Sequence, residues 1–334
     1  MLSALQRGFR GVARNWGLVV LVLAVNVGLA LVVALPLASQ LERELAHRGS
    51  SSAMMYGFDY DWWARWSENQ TGHTRSFGPD VFGTGFAFKN LGLLLGNHPP
   101  DGVLWRDDRP SYAGGASWPP VPPALDPMIM ALGVLYILTQ IFLTGGLLGV
   151  FRAPQGGWTF RGLIQGSGFY FGRLLRVGLL ALGLVAIVFV VNVPFARWMD
   201  GLAHEAVSER TALALGLGHH ALLLAALVVV HMVASFARVI IVREERRSAT
   251  LAVVSSLGFC ARNFTATAGQ YVIVLILGLL LLSAWAALDT RLVVVGWKSQ
   301  LLALLLFQAF LVGRIALRLG LLAGQLELHR ARGR

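Results

Sequence analysis

Long apolar blocks separated by short arginine-bearing stretches set the pattern of this chain. Uncharged, mainly apolar runs fill 17–38, 128–150, 177–196, 211–237 and 263–288. A helix crosses the hydrocarbon core in about 20 residues, and each of the five runs is long enough. A sixth run, 299–313, is shorter, but apolar sequence continues to Leu326 with Arg314 and Arg318 as its only charges. Its register stays open between a start near Gln300 and one at Leu292. The pattern predicts an all-α membrane fold: six transmembrane helices, with one long extracytoplasmic loop between the first and second.

Composition agrees. Hydrophobic residues make up 56% of the chain and charged residues 13%, against about 25% charged in a soluble domain. The first run follows Arg7, Arg10 and Arg14 like a signal peptide, but it is longer than the usual h-region of about 7–15 residues. Pro36 also sits where a cleavage site would want a small residue. A retained signal-anchor is the expectation.

Charge fixes the predicted orientation. The N-terminus, 152–176, 238–262 and the tail from Arg314 together hold 17 basic and 3 acidic residues; the opposite face holds 11 and 14. Basic residues resist translocation, so the first set is expected in the cytoplasm with both termini. The formal charge of +11 then reads as an orientation signal and an attraction to anionic lipid at the inner face, with no call for nucleic acid. Only Lys89 and Lys298 among the 28 basic residues are lysine, a bias that suits a GC-rich bacterial genome and its cytoplasmic (inner) membrane. Three stretches follow: 1–38, a cytoplasmic N-terminus and first helix; 39–127, an extracytoplasmic aromatic-rich cap; and 128–334, a five-helix region with basic cytoplasmic loops and tail.

The cap opens with "SQLERELAHR", which continues the first helix past Pro36, and then "MMYGFDYDWWARW". Tryptophan and tyrosine collect where lipid meets water, so Tyr60, Trp62, Trp63 and Trp66 read as an anchoring belt, extended by Trp105 and Trp118. Asp59 and Asp61 add a candidate binding surface for a headgroup, partner or cation, or a meeting point for Arg65 and Arg75; two carboxylates fall short of the six to eight oxygens of calcium. The segment 81–95 is apolar but too short to span, and "SWPPVPPALDP" is an extended lead into the second helix.

"ARVIIVREERRSATLAVVSSLGFCARN", through Arg238, Arg243, Arg247, Ser248, Ala252, Ser256, Phe259, Arg262 and Asn263, resembles the inner loop of a broad group of bacterial six-span integral membrane proteins of uncharacterised activity. "GFDYDWW" followed by "FGPDVFGTG" is similar to the outer loop of such sequences. The resemblance implies topology and no activity. Related architectures include the membrane region attached to some glycerophosphodiester phosphodiesterases, whose catalytic domain has no counterpart here.

Candidate chemistry is sparse. No HExxH, CxxC, GxSxG or Walker pattern occurs, and the spans hold no Asp or Glu at depth; no metal or cofactor is expected. His219 and His220 are adjacent and so point about 100° apart on a helix, unlike a zinc-binding i,i+4 pair. Asn26, Gln140, His220 and Gln308 fall near the midplane at ~1.5 Å per residue. They read either as interhelical hydrogen bonds or as a polar waist in a substrate path. Arg314 and Arg318 share a helix face and, with Arg243, Arg246 and Arg247, are candidate inner contacts for lipid or a partner. Gly145, Gly146 and Gly149, and the series Gly162, Gly166, Gly168 and Gly172, suit close helix approach. The single Cys260 reads as a small packing residue.

The sequence thus points to a non-enzymatic scaffold or accessory subunit of a membrane complex. A permease subunit for lipid or small solute stays open, with "REERRSATLAVVSSLGF" as its coupling helix for a cytoplasmic ATPase. So does an enzyme acting on lipid headgroups through Asp59 or Asp61.

Overall fold

The computed structural model describes residues 1–45, 59–68, 70, 127–153, 158–292 and 296–333. Its elements are all helices: α1 (Leu2–Arg14), α2 (Gly17–Leu45), α3 (Tyr60–Glu68), α4 (Pro127–Arg152), α5 (Phe160–His204), α6 (Glu209–Glu244), α7 (Ala249–Arg262), α8 (Phe264–Asp289) and α9 (Trp297–Arg332). Six of them, α2, α4, α5, α6, α8 and α9, are long and apolar enough to cross a membrane. The sixth begins at Trp297, between the two registers the sequence left open. α2 runs unbroken through Pro36. The first three arginines lie on a separate amphipathic helix, α1. The inner stretch after Arg152 is helical from Phe160 and continues without a break to His204.

Contacts group the chain into two compact units: Met1–Leu18 with Ile137–Leu275 and Leu317–Arg334, and Val19–Tyr136 with Ile276–Ala316. In the first unit α6 changes character along its length. Leu213, Leu217, Leu222, Val228 and Val229 are exposed apolar side chains, as lipid-facing residues are, whereas Met232, Phe236, Ala237 and Val239 to Val242 are buried. The burial comes from neighbours that the chain folds back onto α6. α7 runs antiparallel along it: Ala249 and Ala252 meet Val239 to Val242, Ser256 Oγ donates to the Val233 carbonyl at 2.9 Å, and Cys260 packs with Met232 and Phe236. The face of α7 that does this carries Ala, Ala, Ser and Cys, whose small side chains let two helix axes come close.

α1 buries Ala4, Leu5, Gly8 and Val12 and leaves its arginines on the other side. A Cβ at Gly8 would stand 2.5 Å from the Gly324 nitrogen and 2.9 Å from the Gly320 carbonyl, so α1 and α9 touch backbone to backbone. The same device joins α4 to α5. A Cβ at Gly146 would strike the Leu163 carbonyl and Ser167 Oγ, and Gly166 faces the Gly146 Cα at 3.4 Å. Gly149, Gly168 and Gly172 have open space instead.

In the second unit Trp62, Trp63 and Trp66 of α3 are buried against Leu37, Leu41 and Leu45, the continuation of α2 beyond Pro36. Trp62 and Trp66 stack at 5.4 Å. Trp285 of α8 packs on Phe307 and Phe310 of α9.

The glycine geometry yields a paired expectation. Gly146→Val should lower stability by about 1–3 kcal/mol through overpacking, while Gly149→Val, with the same change in helix propensity, should cost well under half of that. Thermal melts of both variants in one detergent, followed by tryptophan fluorescence, test it; equal losses would mean the α4–α5 contact is not tight.

Candidate functional site

Three helices of the first unit, α4, α6 and α9, bring their C-terminal ends together. The last turn of a helix leaves four carbonyls without intrahelical donors and carries the negative end of the macrodipole. Each of these ends is satisfied by an arginine from another. Arg152, last residue of α4, donates from Nη1 to the Val242 carbonyl of α6 at 3.0 Å. Arg243 of α6 donates from Nη1 to the His329 carbonyl of α9. Arg330 of α9 donates from Nη2 to the Phe151 and Arg152 carbonyls of α4 at 3.3 and 2.6 Å. The caps form a closed ring, α4 to α6 to α9 and back to α4.

Carboxylates flank the ring. Glu245 accepts from Arg152 at 2.6 Å, Glu244 accepts from Arg246 at 2.6 Å, and Glu327 pairs with both Arg7 and Arg330. The 3 acidic residues of this end of the sequence are therefore all used. Glu245 is the non-glycine residue with positive φ among the described residues, at 54°. This left-handed conformation ends α6 and makes the tight turn into α7. Arg152 holds the Glu245 side chain while Arg173 Nη1 donates to its carbonyl at 3.4 Å. Ser248 then caps α7 by accepting from the Leu251 N–H at 3.3 Å.

Farther along the same helices lies a second polar set. Ser235 Oγ donates to Gln325 Oε1 at 2.6 Å, and Gln325 Nε2 donates to the Tyr271 hydroxyl at 3.1 Å. His231 Nδ1 lies 3.1 Å from that hydroxyl. Gln270 Nε2 donates to the Gly324 carbonyl at 3.1 Å. Arg318 Nη1 donates to Gln140 Oε1 at 2.8 Å. Gln140 stands twelve residues from Arg152, about 18 Å along α4. An amide rather than a carboxylate thus meets a guanidinium at depth.

Several residues expected to act together have separate partners. Of the midplane set, Gln140 is bonded to Arg318, and His220 Nδ1 to the Gly216 carbonyl of its own helix at 2.7 Å. These two fall in the first unit, whereas Asn26 and Gln308 are half-buried members of the second. The buried histidine is the neighbour, His219, whose Nε2 lies 2.9 Å from Asn192 Oδ1. Among the basic candidates Arg243 and Arg246 bind the chain itself, Arg247 is exposed, and Arg314 lies 5.8 Å from the Phe310 ring centroid. Asp59 accepts from the Trp62 N–H at 2.9 Å and so caps α3, while the Asp61 carbonyl accepts from Arg65. Tyr60 opens that helix. Arg75, Trp105, Trp118, the segment 81–95 and the proline-rich lead lie outside the described residues.

No protein-family model, curated protein or solved structure matches the chain. It is a multi-pass all-α membrane protein. Among the described residues no group of three or more His, Cys, Asp or Glu is arranged to hold a metal ion. Cys260 is buried on α7, and burial pushes its thiol up from the ordinary 9.0 to about 12.

The ring makes two measurable statements. Arg330→Ala should destabilise the protein by about 1–3 kcal/mol, because two part-buried carbonyls and Glu327 lose a charged donor. Arg330→Lys should recover little, since one ammonium cannot reproduce the fork. Arg247→Ala, at an exposed position, should stay within ~0.5 kcal/mol; denaturation midpoints in a common detergent compare the three. For Cys260, alkylation should be slow in the folded protein at neutral pH and fast after denaturation. The thiol is held protonated, so its contribution to stability is complete below pH 9.0 and lost as pH rises toward about 12. Rapid native alkylation at neutral pH would contradict this.

Proposed function

We propose that the protein is a non-enzymatic scaffold or accessory subunit of a membrane complex in a bacterial cytoplasmic membrane. In this reading the arginine-rich end and both termini are cytoplasmic and residues 39–127 are extracytoplasmic. The observation that carries it is the closed arginine ring. Polar side chains that a transporter or hydrolase would direct at a substrate are spent here on joining helix ends. Ser256, Gln270, Ser235 and Gln325 likewise bind neighbouring helices. Such a body presents a fixed surface, which is what an assembly subunit requires. The capping bond of Asp59 gives that carboxylate a structural task, which weighs against a headgroup-acting enzyme.

One observation favours a second reading, a permease subunit. Arg318 and Gln140 form a polar pair deep in an apolar zone, and ionisable groups at such depth often mark a solute path. The exposed face of α7, Leu251, Val254 and Leu257, is apolar, whereas a coupling helix for a cytoplasmic ATPase would show polar groups to water.

Orientation is tested by impermeant thiol labelling in a Cys260→Ala background. Glu68→Cys should react in intact cells and Arg247→Cys only after lysis; the reverse would withdraw the cytoplasmic placement. Function is tested by gentle detergent extraction after cross-linking in the native membrane. Stoichiometric integral-membrane partners are expected. An ATPase at equal stoichiometry, with solute flux lost in Arg318→Leu, would replace the scaffold by the permease. Phospholipid turnover lost in the double variant Asp59→Asn, Asp61→Asn would replace it by the enzyme.

A further inference from the structure

The amphipathic helix α1 does more than cover α9. Beside α1, toward the end of α4 and the end of α9, lies an open groove of about 270 Å³, bordered by Arg7, Arg10, Arg14, Arg330, Asn15 and Glu327, with Gly11 opening onto it. Four guanidinium groups therefore border one space with a single carboxylate among its lining residues. That carboxylate is already shared, for Glu327 accepts from Arg7 at 3.0 Å and pairs with Arg330. The lining thus carries four guanidinium groups against one carboxylate. Arg7 and Arg10 are one turn apart on α1, as are Arg10 and Arg14, a spacing at which like charges repel. A structure that gathers these charges gains by admitting an anion.

The chemistry of the lining selects which anion. Guanidinium groups bind phosphate oxygens through paired, charge-assisted N–H donors. The space is smaller than the roughly 300–1,000 Å³ of pockets that enclose drug-sized ligands, so it fits a headgroup-sized moiety. Trp158, against which Gly17 rests, and the exposed Trp16 lie beside α1, and tryptophan concentrates where hydrocarbon meets headgroups. Basic pockets at helix ends on that boundary suit lipid phosphates. We propose that the groove beside α1 is a binding site for a phosphate group, supplied by an anionic phospholipid or by a soluble phosphate. This site is separate from the scaffold reading, because it is measured on the isolated chain and needs no partner protein.

The test is native mass spectrometry of the full chain in a neutral detergent, with phosphatidylglycerol as probe and phosphatidylcholine as the zwitterionic comparison. One phosphatidylglycerol should be retained about tenfold more tightly than phosphatidylcholine. Arg10→Gln combined with Arg14→Gln should remove that preference. Gly11→Phe should remove it too: a Cβ at Gly11 meets open space, so the larger side chain fills the groove and leaves every charge in place. Arg247→Gln, outside the groove, should keep the preference. Inorganic phosphate that displaces the lipid would identify a soluble phosphate as a ligand of the same site, and failure to displace it would identify the lipid. A preference unchanged in Gly11→Phe, or absent from the unsubstituted chain, overturns the proposal.

Discussion

The last carbonyls of a helix have no intrahelical donors and must find them elsewhere. Three helices of this chain end side by side, which triples the demand and brings three negative dipole ends together. Their mutual repulsion would splay an unmodified arrangement apart. Arginine resolves both difficulties, because its guanidinium carries the opposite charge and several N–H donors on one planar fork. By taking each cap from the neighbouring helix, the chain converts a local end problem into an interhelical tie. Arg152, Arg243 and Arg330 thereby fix the relative height of α4, α6 and α9.

Much of the first unit depends on that height. Ser235 can reach Gln325 because α6 and α9 are held in one register, and Gln325 can then reach Tyr271 of α8. The close backbone contact of Gly8 with Gly320 and Gly324 also fixes where α1 rests on α9. Apolar side chains do not supply this specificity, since lipid tails attract them as well as protein does. Small residues let helices approach, and the polar bonds decide which approach is kept. Glu245 illustrates the cost of the arrangement. A β-carbon is disfavoured at φ 54°, yet this residue is held there because its carboxylate and carbonyl are both engaged by arginines.

How much of this could be read in the sequence follows from the range of each signal. The six spans were legible because a bilayer demands about 20 apolar residues in a row, a purely local requirement. The continuation of α2 past Pro36 was legible from the placement of Leu41 and Leu45 on one face. The partners of polar residues were not, because a hydrogen bond joins positions 90 or 178 residues apart and a single sequence carries no trace of that pairing. Arg318 and Gln140 were each visible as residues out of place in apolar sequence, but not as partners of one another. His219 with Asn192 is an intermediate case. The two lie nearly equidistant from the turn between α5 and α6, and in an antiparallel helical hairpin such positions face each other. Applied to this short connection, that rule brings the adjacent pair His219 and His220 opposite Asn192 without choosing between them. The amphipathic character of α1 was present in Ala4, Leu5, Gly8 and Val12 set against Arg7, Arg10 and Arg14.

Arginine counts and arginine contacts describe the same residues at two levels. A count treats every basic side chain alike, as resistance to crossing the bilayer. The contacts separate them. Arg152, Arg243 and Arg330 close the helix ends, and Arg246 is tied to Glu244 and Ser255. Arg7, Arg10 and Arg14 line one open space that holds a single carboxylate, Glu327. A chain that needed arginine solely for orientation would have no reason to place three on one face of a separate helix packed backbone to backbone against α9. The geometry of α1 therefore assigns those side chains a task at the membrane surface distinct from the one performed by the ring.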